Sequence, residues 1–214
     1  MAEIKIYGVP QSSYVRTVLF TCGEKSVPHR LEPIQLSSDA HLALHPWRRV
    51  PIMRHGEVQL FETSAIVRYI DEAFPGPALT PDTPVERGVM EQWISAINSY
   101  MYGHLVRDYA LAYLLPMMRG EEPDTARIQA AIPDMQRDLA ILDQAYADRE
   151  WIAGHRLSLA DLFVAPIVAT VGMCPEGATT LEKCHNLVRA FRAMEQRLAY
   201  QATMPHTSPP NHSP

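Results

Sequence analysis

The sequence predicts two domains of different class: a small α/β domain with a mixed sheet, followed by an all-helical domain. Three observations predict it. The first 75 or so residues read strand–helix–strand and then strand–strand–helix. Four prolines, Pro75, Pro77, Pro81 and Pro84, then fall within ten residues, which is a linker composition. Beyond them no convincing strand pattern recurs, while apolar residues return at helical spacing. The expected units are residues 1–76, a linker at 77–84, a helical domain at 85–203 and a mobile tail at 204–214. The tail holds four prolines and no run able to form a core.

Ile4 to Tyr7 alternates as a strand does and stops at the turn Gly8-Val9-Pro10. Gln11-Ser12-Ser13 supplies caps for a helix from about Tyr14 to Lys25, in which Val15, Val18, Leu19 and Cys22 share one buried face. His29 to Leu36 reads as a second strand, parallel to the first through a right-handed crossover. Ser37 to Arg49 reads as irregular. His55-Gly56-Glu57 joins strands Ile52–Arg54 and Val58–Phe61 as a hairpin. Glu62-Thr63-Ser64 then offers caps for a helix running to Phe74. In the second domain, helical patterns cover about Val85–Met118, Thr125–Ala147, Leu159–Gly172 and Asn186–Tyr200.

Composition narrows the function. Apolar residues make up 47% of the chain, and 19 basic against 24 acidic groups give a net charge of −5. The excess of acid lies beyond residue 80, and no basic tract is present, so nucleic acid is not an expected partner. Cys22, Cys174 and Cys184 form no CxxC pair, so neither a disulfide framework nor a zinc site is expected. No histidine spacing suggests a metal. No signal peptide or membrane-length apolar run is evident, and a cytoplasmic, membrane-free protein is expected.

Three segments of the first domain converge on the carboxyl edge of the sheet, where α/β proteins bind ligands. They are Gly8 to Arg16, Arg49-Val50-Pro51, and the helix start Glu62-Thr63-Ser64-Ala65-Ile66, which suits a carboxylate. Ser12 and Ser13 by themselves read equally well as helix caps, Pro51 as a strand start, and Glu62 as a charge offsetting the helix dipole. Arg16 reads as structural, paired with a carboxylate at the sheet edge.

In their order and spacing these segments resemble the glutathione transferases, as does Gly154-His155-Arg156-Leu157-Ser158-Leu159-Ala160-Asp161 in the second domain. The resemblance covers nearly the whole chain. It implies a thioredoxin-like first domain and a helical second domain of the glutathione transferase type. It places Ser12 where the serine-type classes (phi, theta and delta) carry the hydroxyl that contacts the glutathione thiolate, with Ser13 as a cap or alternate. It makes Pro51 the family's cis-proline and sets the Val50 backbone against the cysteinyl unit. It assigns Glu62 and Thr63 to the γ-glutamyl end and Arg49 to the glycine end. Thr63 stands for the commoner Ser and Arg49 for Gln or Lys; no cysteine occupies positions 12 or 13. Ser158 and Asp161 match a structural capping box.

The implied activity is conjugation of glutathione to small hydrophobic electrophiles, without a metal. Candidates for the electrophile pocket are Tyr14, from the first helix, and Tyr109 and Tyr113, from an aromatic and Met-rich helix that also holds Tyr100 and Tyr102. A specialised dehalogenase, isomerase or peroxidase using glutathione is the alternative. So is a non-catalytic interaction protein of the stringent-starvation type. A homodimer is implied as well. Arg68, Tyr69 and Asp71 follow the γ-glutamyl site, and Ile94, Ile97, Met101, Leu105 and Val106 make the first long helix apolar on more than one face.

Overall fold

The structure, a computed structural model, describes residues 3–205. Its first part is β1 (Ile4–Tyr7), α1 (Ser13–Glu24), β2 (His29–Glu32), α2 (Asp39–Leu44), β3 (Ile52–His55), β4 (Val58–Phe61) and α3 (Thr63–Ala73). The strands form one mixed sheet in the order β2-β1-β3-β4. β1 and β2 are parallel, while β3 runs antiparallel to both β1 and β4. Ile4 and Ile6, two apart and so on one face, are fully buried. Gly8 lets the end of β1 meet α1, because a Cβ there would lie 2.4 Å from the Val15 side chain.

Local chemistry explains where prediction and structure part. β2 stops at Glu32 because Pro33 has no N–H to continue a ladder. The stretch read as irregular contains α2, capped by Ser38, whose Oγ accepts from the His41 N–H at 3.1 Å. Ser12, not Ser13, caps α1. Thr63 and Ser64 lie inside α3, with Glu62 at its cap position and no side-chain cap bond.

The helical part begins with a rod: α4 (Pro84–Ala96), π-helical segments at Ile97–Met101 and Gly103–Ala110, and α5 (Leu111–Met118). Then come α6 (Thr125–Ala145), α7 (Leu159–Gly172), α8 (Pro175–Leu181), α9 (His185–Glu195) and α10 (Leu198–Gln201). α8 escaped the sequence reading. The single helix expected at 186–200 is broken, and Arg197 at the break forms a bidentate bond with Glu24 at 2.6 Å. α7 is buried along nearly its whole length and packs on α1, where the Thr17 hydroxyl donates to the Leu162 carbonyl at 3.2 Å.

Two corrections concern charge and packing. Arg16 is buried but meets no carboxylate among the described residues: its guanidinium donates to Thr203 Oγ1 at 3.3 Å and Met204 Sδ at 3.0 Å and lies over the Tyr200 ring. Ile94, Ile97, Met101, Leu105 and Val106 are buried within the chain itself, so the doubly apolar helix finds its cover intramolecularly. Asp71 is also buried, in an ion pair with Lys25. Most of the expected tail, residues 206–214, lies outside the described residues. Among the described residues no helix is long and apolar enough to cross a membrane, and no group of three or more His, Cys, Asp or Glu is placed to hold a metal.

Candidate active site

A cleft of about 340 Å³ lies between the sheet domain and the π-helical rod, within the usual range for small-molecule sites. From the first domain it is lined by His45, Arg49, Val50, Pro51, Glu62 and Thr63. Facing them are Tyr14 from the start of α1, and Asn98, Tyr102, Arg107 and Leu111 from the rod.

The loop before β3 is built on two histidines. His41 donates from Nε2 to the Arg49 carbonyl at 2.9 Å, while its Nδ1 accepts from the Ser37 N–H at 3.1 Å. His45 accepts the Trp47 N–H on Nδ1 at 3.2 Å and packs against Phe61. Burial pushes the His45 imidazole below its ordinary pKa; Glu62 opposes this, and His41 and Arg49 add to it. The Val50–Pro51 peptide is cis.

Glu62 has φ 72°, a left-handed conformation that costs a non-glycine residue energy and is concentrated at ligand sites. It turns the chain into α3 and presents that helix's N-terminus to the cleft. Thr63, 6% exposed, stands in the first turn. Unpaired N–H groups and the helix dipole make such a terminus favourable for an anion.

Ser12 sits at the N-cap of α1, its Oγ accepting from the Val15 N–H at a long 3.4 Å. It is beside the cleft rather than among its lining residues. Ser13 is buried, with its Oγ lacking a hydrogen-bond partner and lying close to the Tyr102 side chain. Tyr14 and Tyr102 stack at 4.2 Å, and the Tyr14 hydroxyl donates to Asn98 Oδ1 at 2.7 Å.

Tyr109 and Tyr113 are not brought to the cleft. Both hydroxyls donate to Glu176 Oε2 on α8, at 3.1 and 2.7 Å, and Tyr109 also accepts the Gly177 N–H. They fasten α8 to the rod. Ser158 and Asp161 lie far along the chain at the start of α7, as a buried capping box.

Two family models match the chain: the glutathione S-transferase N-terminal domain over residues 6–78 and the glutathione S-transferase C-terminal domain over residues 106–197. The chain belongs to the glutathione S-transferase family. Glutathione S-transferase 3 of Zea mays is 27% identical over 223 residues, covering 100% of both chains. A solved structure described as glutathione S-transferase III in apo form has a TM-score of 0.85 at 27% identity, over 98% of this chain and 100% of that one. A stringent starvation protein A homolog of Haemophilus ducreyi is 26% identical over 157 residues, 72% of this chain and 68% of its own. The mixed-sheet domain followed by a helical domain is thus the architecture of the glutathione S-transferases.

Within that frame, the sequence reading missed His45, Asn98, Arg107 and Leu111 as cleft residues. None stands in a motif that marks it. Tyr102 was noticed only as one aromatic among several.

Proposed function

We propose that this protein is a glutathione transferase of the serine-type, phi/theta-like kind, joining the glutathione thiolate to small hydrophobic electrophiles as a cytoplasmic homodimer. One observation carries the reading. A single cleft combines the strained Glu62-Thr63 entrance to α3, the cis Val50–Pro51 edge and, through Tyr14, the start of α1. On this reading Glu62, Thr63 and the α3 N-terminus take the γ-glutamyl end, the Val50 backbone takes the cysteinyl unit, and Arg49 faces the glycine carboxylate.

A free thiol titrates near ~8.5 and is mostly protonated at neutral pH. Ser12, at the N-terminus of α1, is the donor that favours the thiolate. One hydrogen bond to a charged group contributes ~1.5–3 kcal/mol, and one pKa unit corresponds to ~1.4 kcal/mol. A single hydroxyl is therefore of the right size to lower the thiol by one to two units. Ser12 does not remove the proton, since its own hydroxyl is far too weakly acidic. The thiolate then forms its bond to the electrophilic carbon as the leaving group departs.

Two experiments test this. Ser12→Ala is expected to lower turnover at pH 7 by about tenfold or more, the equivalent of one pKa unit, with the fold retained. If Ser12→Ala is harmless while Ser13→Ala is damaging, the thiolate donor is the buried Ser13 hydroxyl instead. Retention on immobilised glutathione is expected too. Its absence, with no turnover across a panel of electrophiles, would favour a binding role like that of an interaction protein.

The homodimer rests on what the fold leaves outward, the exposed Val85 and Tyr100 on the rod. Twofold assembly is the commonest closed arrangement. Light scattering at micromolar protein should give about twice the 24.1 kDa chain mass. A fully active monomer would contradict it.

A further inference from the structure

If the cleft works as proposed above, its second substrate meets the wall formed by Tyr14, Asn98, Tyr102, Arg107 and Leu111. This wall is not simply apolar. The stacked Tyr14–Tyr102 pair, with ring planes 14° apart, forms an aromatic surface of the kind that packs against flat rings. Asn98 accepts the Tyr14 hydroxyl on Oδ1, which leaves its amide N–H groups as donors. Burial raises both phenols, so they stay neutral.

Arg107 is the charged side chain that the rod gives to the lining; the other charged groups of the cleft, Arg49 and Glu62, come from the first domain. Arg107 donates to Asp108 from Nε at 3.1 Å and from a terminal nitrogen at 3.0 Å. Asp108 is shared with Arg127, 3.5 Å away, so the three groups together keep one positive charge. The guanidinium folds back over Gly103, where a Cβ would come within 2.9 Å of its nitrogen. Gly103 thereby leaves room for the cation to lie along the rod beside Tyr102. It remains 63% exposed, free to meet a substrate.

We propose that the second substrate is a planar electrophile bearing an anionic group, in the simplest case a carboxylate, with its ring against Tyr14–Tyr102 and its anion on Arg107. With Nε and one terminal nitrogen held by Asp108, what Arg107 offers a carboxylate is its positive charge rather than a bidentate fork. The inference rests on the transferase reading and narrows its substrate class.

The test compares 4-chloro-3-nitrobenzoate with 4-chloro-3-nitrobenzamide, alike in shape and different in charge. In both, the glutathione sulfur bonds to the ring carbon, the carbon–chlorine bond breaks, and chloride leaves with the bonding pair. kcat/KM for each is divided by the uncatalysed rate with glutathione. The normalised acid-to-amide ratio is expected to exceed one. It should fall about fivefold in Arg107→Gln, the scale of one partly exposed ion pair. It should be largely kept in Arg107→Lys, and shrink as salt screens the charge. A ratio at or below one, or a ratio that Arg107→Gln leaves unchanged, overturns this inference while amide turnover upholds the transferase reading. Turnover of neither compound, with no retention on glutathione, overturns both.

Discussion

Asp161→Ala is expected to destabilise the protein by roughly 3–6 kcal/mol, several times what a surface helix cap is worth. Asp161 is completely buried. Its Oδ2 accepts from the Ser158 N–H at 2.9 Å and the Ser158 hydroxyl at 2.8 Å. Its Oδ1 accepts from the Ile152 N–H at 2.9 Å and the Tyr146 hydroxyl at 2.8 Å. Burial pushes the Asp161 carboxyl above its ordinary pKa, and these four donors pull it back. Alanine removes the acceptor and strands all four, each buried orphan costing about 1–3 kcal/mol before the site relaxes. One carboxylate thus ties α7 to the end of α6 and to the loop between them. Urea unfolding should show a lower midpoint with an unchanged slope. Substrate preference in the surviving fold should not change. A loss below about 1 kcal/mol would show that the four bonds are replaceable, as in an ordinary cap.

Breaking the Lys25–Asp71 pair is expected to cost about 3–5 kcal/mol, because it leaves a buried charge without its partner. Both side chains are nearly sealed, and the charged atoms are 3.2 Å apart. Lys25 also donates to the Asp71 carbonyl at 2.9 Å, while the Asp71 carboxylate accepts the Leu79 and Thr80 N–H groups at 2.9 Å each. The linker is therefore clamped to α1 and α3, and Leu79 hands its own carbonyl on to the Leu159 N–H at the start of α7. Lys25→Met and Asp71→Leu should each be strongly destabilising alone. The double variant should recover much of the loss, since a buried pair replaced by apolar groups is often near neutral.

The pH dependence follows from the carboxyl. Burial would raise Asp71, but the Leu79, Thr80 and Lys25 donors outweigh it and hold the carboxyl below its ordinary value of 3.8. The unfolded chain then binds the proton first, so this stabilisation is complete above the unfolded pKa and is lost as pH falls through the lower folded one. Below about pH 4 the native protein should lose stability more steeply than Asp71→Leu. Parallel acid profiles would exclude the clamp as a source of that sensitivity.

How much of this was legible in sequence depends on how local the cause is. β1, β4 and α7 could be bounded from the residues because alternation, turn residues and caps act within a few positions. The convergence of the start of α1, Val50–Pro51 and Glu62-Thr63 was legible for a related reason: the helices that follow β1 and β4 start at the carboxyl edge of the sheet, and β3, antiparallel to both, begins at that same edge. The capping box showed its own two members, Ser158 and Asp161. Tyr146 and Ile152, which make it far costlier to break, announced nothing, because they arrive through packing. Arg16 likewise reads as half of an ion pair, yet it is satisfied by Thr203 and Met204, more than 180 residues away.

The wall that the rod presents to the cleft was decided only by tertiary structure. An α-helical period of 3.6 puts Tyr109 and Tyr113, two and three turns on, beneath Tyr102. The rod instead bonds i to i+5 over Gly103–Ala110, and each wider turn rotates the face that follows. The cleft thus continues from Tyr102 to Arg107 and Leu111, while Tyr109 and Tyr113 swing onto Glu176 of α8. The sequence by itself determined the two-domain order, the mixed sheet, the capping box of α7 and the sheet edge where the cleft opens, because short-range spacing carries them. Which side chains face that edge across the cleft was set by a helical register held in place by neighbouring elements, and no local pattern encodes it.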